Sequence, residues 1–451
     1  MTDFRKEYEE KKVDAKEAAK LVQSGDWIDI GHALSIPVHL LDAIADRAEE
    51  LEDVNIRGYL LFRPSPFVAA NERVGRQVFT YNSWYLGGFD RKALKMAHGG
   101  VYHAPMRFAQ LPLYFKKGDV PPYDTLFLQT GPMDEYGYFN LGPCIASTWA
   151  SIQQARQVVL EVNPNMPYTV GAHSDTIHIS QVKALVESDE PMVTIPDATP
   201  SELDRKIASV VMPEIVDGAT LQLGIGGMPN AVGAMIAESD LKDLSIHTEM
   251  YVDSMMKMAK AGKITGRYNE LHPGKQMFAF ATGTQALYDY LDHNQTIITA
   301  PVDYVNDPSV CAQMDHFTSI NNCINVDLFG QVNGESAGTR QISGTGGQLD
   351  FVLGAYLSRG GKSIIALAST HKGKDGSLVS TILPTLQEGS TVTDPRNTTQ
   401  YVATEYGIVS LMGKSMWQRA EGLISIAHPD FREDLIEKAK AMGIWRNSNK
   451  R

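Results

Sequence analysis

The sequence predicts an α/β fold: two similar, open, mostly parallel α/β domains with the active site at their interface. Three observations predict it. At 451 residues the chain exceeds what one core usually organises, since single cores stop growing near roughly 250–300 residues. Short apolar runs rich in Val, Ile and Leu alternate with longer amphipathic stretches, the pattern of strand–helix units around parallel sheets. One stretch near the start also recurs after residue 210. The first copy reads SGDWIDIGHALSIPVHLLDAI and then ELEDVNI; the second reads VDGATLQLGIGGMPNAVGAMI and then DLKDLSI. Each copy has a turn (Gly25-Asp26, Asp217-Gly218), an apolar strand, a glycine (Gly31, Gly224) and a proline opening a helix (Pro37, Pro229). Each then returns to a short strand after Leu-x-Asp, at Leu51 and at Leu241. Two generic strand–helix units would read the same way by coincidence. The alternative is a duplicated chain, with domains over 1–195 and 196–451 joined within residues 187–200.

The elements follow in order. Helices are expected over Ala15–Val22, Val38–Glu49, Pro200–Val211 and Asn230–Glu238, where apolar residues recur every three or four positions. Buried strands are expected at Trp27–Ile30, Thr125–Leu128, Val158–Val162, Leu221–Leu223 and Ser363–Leu367, all short and strongly apolar. Phe351–Leu357 is apolar enough to be buried as well.

Composition narrows the function. There are 53 acidic residues against 41 basic ones, a formal charge of −12. Such a surface repels phosphate backbones and anionic lipid, so neither nucleic-acid nor membrane partners are expected. An anionic ligand must therefore be held by a local pocket. Cysteine occurs only at Cys144, Cys311 and Cys323, which excludes a disulfide framework or a Cys-rich zinc site as the organising principle. The charged start MTDFRKEYEEKK and the absence of an apolar run of about 18 residues lead to an expected cytoplasmic location.

Several clusters could carry chemistry. In Gly224-Ile225-Gly226-Gly227-Met228, three glycines between strand and helix would let backbone N–H groups approach a negative ligand. The segment is neither GxGxxG nor a Walker loop, and a tight strand–helix turn explains it equally well. Its counterpart, Gly31 to Pro37, lacks two of those glycines and reads as structural. Glu249 ends the next strand, where function gathers in open parallel sheets, and is a candidate base, ligand or nucleophile. His247 lies on the same face, but a third metal ligand is missing nearby in sequence, so no metal site is expected. Gly344 to Gln348 is a second glycine turn, in which Gly347 and Gln348 would offer donors. Lys372 would meet a phosphate, although an isolated lysine is more often simply solvated. Glu405, with no glycine loop upstream, is the rival carboxylate. His173-Ser174-Asp175 cannot form a relay, because consecutive residues do not face one another.

Six segments in fixed order carry a family resemblance: LQLGIGGMPNAV (221–232), HTEMYVD (247–253), PVDY (301–304), QISGTGGQLDF (341–351), ATEYG (403–407) and ISIAHPDFRE (424–433). Together they resemble the acetyl-CoA hydrolase/transferase family, the glutamate-dependent CoA-transferases. The resemblance implies that Glu249 is a nucleophile carrying a glutamyl-CoA thioester, and that Gly224 to Met228 and Gly347 lie on the CoA site. It implies ping-pong exchange between a short-chain acyl-CoA and a carboxylate, with CoA a substrate rather than a cofactor, in a homo-oligomer. Backbone N–H groups near Gly226–Gly227 are the available oxyanion donors. The subgroup most resembled exchanges CoA between butyryl-CoA and acetate, with Met228, Met250 and Phe351 as candidate pocket lining. A 4-hydroxybutyrate CoA-transferase, an acyl-CoA hydrolase and a non-catalytic CoA-binding protein remain open.

Overall fold

The computed structural model describes residues 4–172, 174–446 and 448. Two compact units divide the chain. The first runs to Pro196 and takes in Glu249–Tyr251 and Met277–Val305; the second comprises Asp197–Thr248, Val252–Gln276 and the residues from Asn306. Both are α/β.

The first unit holds β1 (Trp27–His32), β2 (Val54–Tyr59), β3 (Phe79–Ser83), β4 (Val101–His103), β5 (Tyr123–Thr130), β6 (Ala155–Val162) and β7 (Ala184–Glu187). They form one sheet in the order β4-β3-β2-β1-β5-β6-β7, every pair parallel. The sheet is covered on both faces, as parallel pairing with helical crossovers demands. Phe127 and Val159 join one core with Ile28, Ile44 and Phe79, while Leu126, Leu128 and Leu160 join another with Phe139 and Ile177. Alternate residues of a strand thus serve opposite cores, and central strands read as continuous apolar runs.

In the second unit β8 (Thr220–Leu223) pairs in parallel with β9 (Ser245–Tyr251). Within the residues added to the first unit lie β11 (Ile297–Thr299) and all but the first residue of β10 (Gln276–Ala281). There the N–H groups of Ile145 and Ala146 donate to Ala279 O, and Thr299 N–H donates to Val170 O. The second unit continues with β12 (Thr318–Asn322), β13 (Lys362–Ala366), β14 (Tyr401–Thr404) and β15 (Gly407–Ser410). Here the run is β9-β8-β12-β13-β14-β15, parallel except for the terminal β14–β15 hairpin. Its order repeats β2-β1-β5-β6-β7 of the first unit.

The recurrence in sequence is a recurrence in structure. Gly25 N–H donates to Glu52 O, and Gly218 N–H donates to Lys242 O. Asp53 and Asp243 then both adopt a left-handed backbone, φ +51° and +56°, before β2 and β9.

Helix ends differ from the expectations for local reasons. The first expected helix is α-helical only over Ala15–Ala19. Beyond it, Leu21 and Val22 bond to Ala18 and Ala19, an i→i+3 tightening common at helix ends. Val38–Asp46 likewise ends in a 3₁₀ turn, Arg47–Glu49. Pro200 stays outside Glu202–Val211, because Ser201 and Asp204 form a capping box at its start. The expected Asn230–Glu238 begins earlier, at Gly227, so Pro229 occupies the first turn instead of opening it. Phe351–Leu357 belongs to the helix Gln348–Leu357 and is not buried throughout: Tyr356 and Leu357 are 48% and 62% exposed, since a helix turns one side away from its sheet. Among the described residues no helix is long and apolar enough to cross a membrane.

Candidate functional site

The glycine loop leaves the carboxyl end of β8. Gly224 N–H extends the ladder one step further, donating to Ile320 O at 2.8 Å. Each glycine then answers a separate demand. A Cβ on Gly224 would press on Asn321 Oδ1 at 3.1 Å, and one on Gly227 would strike the Asp204 carboxylate at 2.5 Å. Gly226 has φ +116° and ψ −175°, a backbone conformation that side chains rarely adopt. Gly226 is also the N-cap of Gly227–Glu238, whose first N–H groups have no intrahelical acceptor. Ile225 and Gly226 are exposed, and Met228 is buried. Local geometry accounts for Gly224 and Gly227; the exposed Ile225–Gly226 peptide is what remains for a ligand.

A closed ring of buried amides stands beneath this loop. Gln222 Nε2 donates to Asn321 Oδ1 (3.1 Å), and Asn321 Nδ2 donates to Gln222 Oε1 (2.9 Å) and to Ser319 Oγ (2.9 Å). Ser319 Oγ donates in turn to Gln222 Oε1 at 2.7 Å. Beside it, Asn322 Nδ2 donates to Ile225 O at 3.1 Å.

The second glycine turn starts the helix Gln348–Leu357, with Gly346 at φ +56° and Gly347 as N-cap. The Gln348 side chain, offered above to a ligand, gives its amide nitrogen to Asp394 Oδ2 at 2.6 Å. Buried Glu335 gathers the rest of the turn, accepting from Thr345, Gln341 and Thr393. Burial and the neighbouring Glu335 push Asp394 up to about 7, although the bond from Gln348 works the other way. The Phe351 ring is 1% exposed and stacks on Phe317 in the core. Lys372 lies exposed on the hairpin Thr370–Lys372/Leu378–Ser380.

Glu249 stands at the carboxyl end of β9, part-buried and counted with the first unit. Its charge acts on the Tyr59 phenol, which burial above all pushes well beyond its usual range. Tyr59 bonds Ser147 Oγ at 3.1 Å, stacks on His32 with centroids 4.5 Å apart, and meets Phe108 edge-on. His32 also meets Phe280 edge-on, and burial drops its pKa to about 3, so it is neutral at physiological pH. The rival Glu405 is occupied otherwise: its two oxygens accept from Ser369 N (3.0 Å) and Ser369 Oγ (2.6 Å). His247 is buried against Phe317, and no metal-binding group of three His, Cys, Asp or Glu occurs among the described residues. His173 lies outside the described residues.

Sequence reasoning missed Asn322, Glu335, Asp394, His32 and Tyr59. Asn321-Asn322 is the one readable signal, an amide pair closing the strand Thr318–Asn322. The others are made neighbours of the site residues only by folding.

Comparison with known proteins places the chain in a family. Residues 1–196 match the acetyl-CoA hydrolase/transferase N-terminal domain, and residues 283–439 match the C-terminal domain. The butyryl-CoA:acetate CoA-transferase of Anaerostipes caccae is 48% identical over 99% of this chain and 100% of its own length. The 4-hydroxybutyrate coenzyme A transferase of Clostridium kluyveri is 39% identical over 96% of this chain and 98% of its own. In structure, RipA from Yersinia pestis superposes with a TM-score of 0.88 at 34% identity, covering 98% of this chain and 100% of RipA. The chain belongs to the acetyl-CoA hydrolase/transferase family. It is an enzyme of the CoA-transferase type.

Asp394 generates a pH prediction. Its folded pKa, about 7, exceeds the ordinary 3.8, so the stability it contributes is full below pH 3.8 and is lost as pH rises through 7. Asp394→Asn keeps an acceptor for Gln348 and removes the titration. In thermal melts from pH 5 to 8.5, the variant should hold its Tm while wild type falls several degrees behind. Parallel curves would refute the assignment.

Proposed function

We propose that this enzyme exchanges CoA between butyryl-CoA and acetate, with Glu249 as the nucleophile. The observation that carries the reading is the near full-length likeness, at 48% identity, to a butyryl-CoA:acetate CoA-transferase. The position of Glu249 near the carboxyl end of β9 supports the choice of carboxylate.

The chemistry suits a carboxylate because exchange between two acids needs an anhydride. Glu249 attacks the butyryl-CoA carbonyl carbon, the C–S bond breaks, and CoA thiolate leaves a butyryl-glutamyl anhydride. The thiolate attacks the glutamyl carbonyl and expels butyrate, giving the glutamyl-CoA thioester. Acetate attacks that thioester, thiolate leaves again, and its attack on the acetyl carbonyl of the new anhydride releases acetyl-CoA and restores Glu249. Carboxylates and thiolate exchange roles with no net proton change, so the steps call for no resident cofactor. In the second unit, the helix starts at Gly227 and Gln348 offer N–H groups to the CoA moiety.

Incubation with butyryl-CoA should leave a CoA adduct on the peptide containing Glu249, trappable with hydroxylamine or borohydride. Glu249→Ala should lose adduct and exchange while still binding CoA; an adduct on Glu405 would overturn the assignment. Acetate-independent release of CoA would favour hydrolysis instead.

Gly226→Val forces a branched side chain into a conformation open to glycine, with Asn322 Nδ2 3.4 Å from the new Cβ. Turnover should drop severely in a folded protein, and wild-type rates would reduce the loop to a structural turn.

Donor preference follows from burial. Two additional methylenes at about 0.8 kcal/mol each favour butyryl over acetyl by roughly tenfold. A terminal hydroxyl left without a partner costs about 1–3 kcal/mol. Values of kcat/KM with acetate should place butyryl-CoA above both acetyl-CoA and 4-hydroxybutyryl-CoA. If 4-hydroxybutyryl-CoA ranks first, the acyl assignment fails while the glutamate chemistry stands.

A further inference from the structure

We propose that Asn322 is a positioning residue that aims the Gly226 N–H at bound CoA by holding the carbonyl of the same peptide. The proposal rests on the reading that the glycine loop receives CoA. Among the described residues no peptide bond is cis. In a planar trans peptide, C=O and N–H point in opposite directions, so fixing one fixes the other. The peptide in question joins Ile225 to Gly226. Its carbonyl accepts from Asn322 Nδ2 at 3.1 Å, which turns the Gly226 N–H away from Asn322.

The backbone before and after it is anchored, at the 223–224 peptide through its N–H and at the 226–227 peptide through its carbonyl. Gly224 N–H is held by Ile320 O, and Gly226 O accepts Asn230 N–H in the first helical turn. Between these anchors the 225–226 peptide is free to rotate about Gly226, whose φ of +116° lies where glycine meets little steric resistance. Asn322 is the side chain that opposes such a flip. It is the last residue of β12, in register with Ala366 of β13, and adjoins Asn321 of the buried amide ring. That footing keeps its amide in place.

Three variants separate aiming from space-filling. Asn322→Asp is isosteric but has no N–H and repels the Ile225 carbonyl; Asn322→Leu fills the space without a donor; Asn322→Ala empties it. Aiming predicts that Asp is the most harmful, with Kd for CoA measured by calorimetry rising roughly tenfold, the worth of one misdirected hydrogen bond. Leu should then be no better than Ala, with KM for acetate and Tm at wild-type values. Space-filling predicts the reverse order, with Asp and Leu close to wild type and Ala worst, and that result overturns the proposal. Should Asp fail to fold, the Leu and Ala comparison still decides. Gly226→Val tests the underlying reading separately. If it binds CoA like wild type, the loop reading fails; if it loses CoA while the Asn322 variants keep it, only the aiming role fails.

Discussion

Parallel pairing is the constraint on which the molecule depends. Neighbouring strands that run the same way cannot be joined by a tight hairpin, so each strand must hand the chain to a crossover. All these exits gather at the carboxyl edge of a sheet, where the backbone has to turn sharply while its own polar groups still need partners. The glycines of the 224–227 loop sit at such an exit, and Glu249 lies two residues before the end of its strand. The chain puts its special backbone conformations where the topology already requires a departure from regular structure.

Polar groups buried beneath these exits do the holding. Asp29 in β1 and Gln222 in β8 occupy the same place in the two repeats, two residues before the strand-end glycine. Asp29 accepts from Gly31 N–H at 2.8 Å and from Ser151 Oγ at 2.9 Å, while Gln222 closes the amide ring with Asn321 and Ser319. Burial raises the Asp29 pKa, as it raises that of Asp394 under the second glycine turn. A buried carboxylate or amide is costly unless its hydrogen-bonding capacity is used. These are used to fix turns, so a polar cost in the interior becomes rigidity at the rim.

Much of this was legible in the sequence. The α/β class, the strand cores and the recurrence after residue 210 followed from apolar runs and from matching glycines, because burial on both faces leaves a direct mark on composition. Helix boundaries were less legible: whether a helix starts at Gly227 or Asn230 depends on capping geometry, and Pro229 suits either. The function of side chains was least legible where one residue type serves two purposes. Gln348 reads as a ligand donor, and only folding shows that Asp394, 46 positions later, takes one bond from its amide. Phe351 reads as pocket lining, and only folding shows its ring stacked on Phe317. Residues 31–37 read as structural alone, yet His32 there stacks on Tyr59, the phenol within reach of the Glu249 charge.

Asp53 and Asp243 bear on how the molecule arose. Aspartate is one of the few residues with a side chain that visits this conformation readily, because its short carboxylate bonds nearby groups. Asp53 Oδ1 accepts from Asn55 Nδ2 at 3.4 Å, and Asp243 Oδ1 accepts from Thr265 Oγ1 at 3.0 Å. The same turn in the same slot ahead of equivalent strands is what two copies of one ancestral unit would carry.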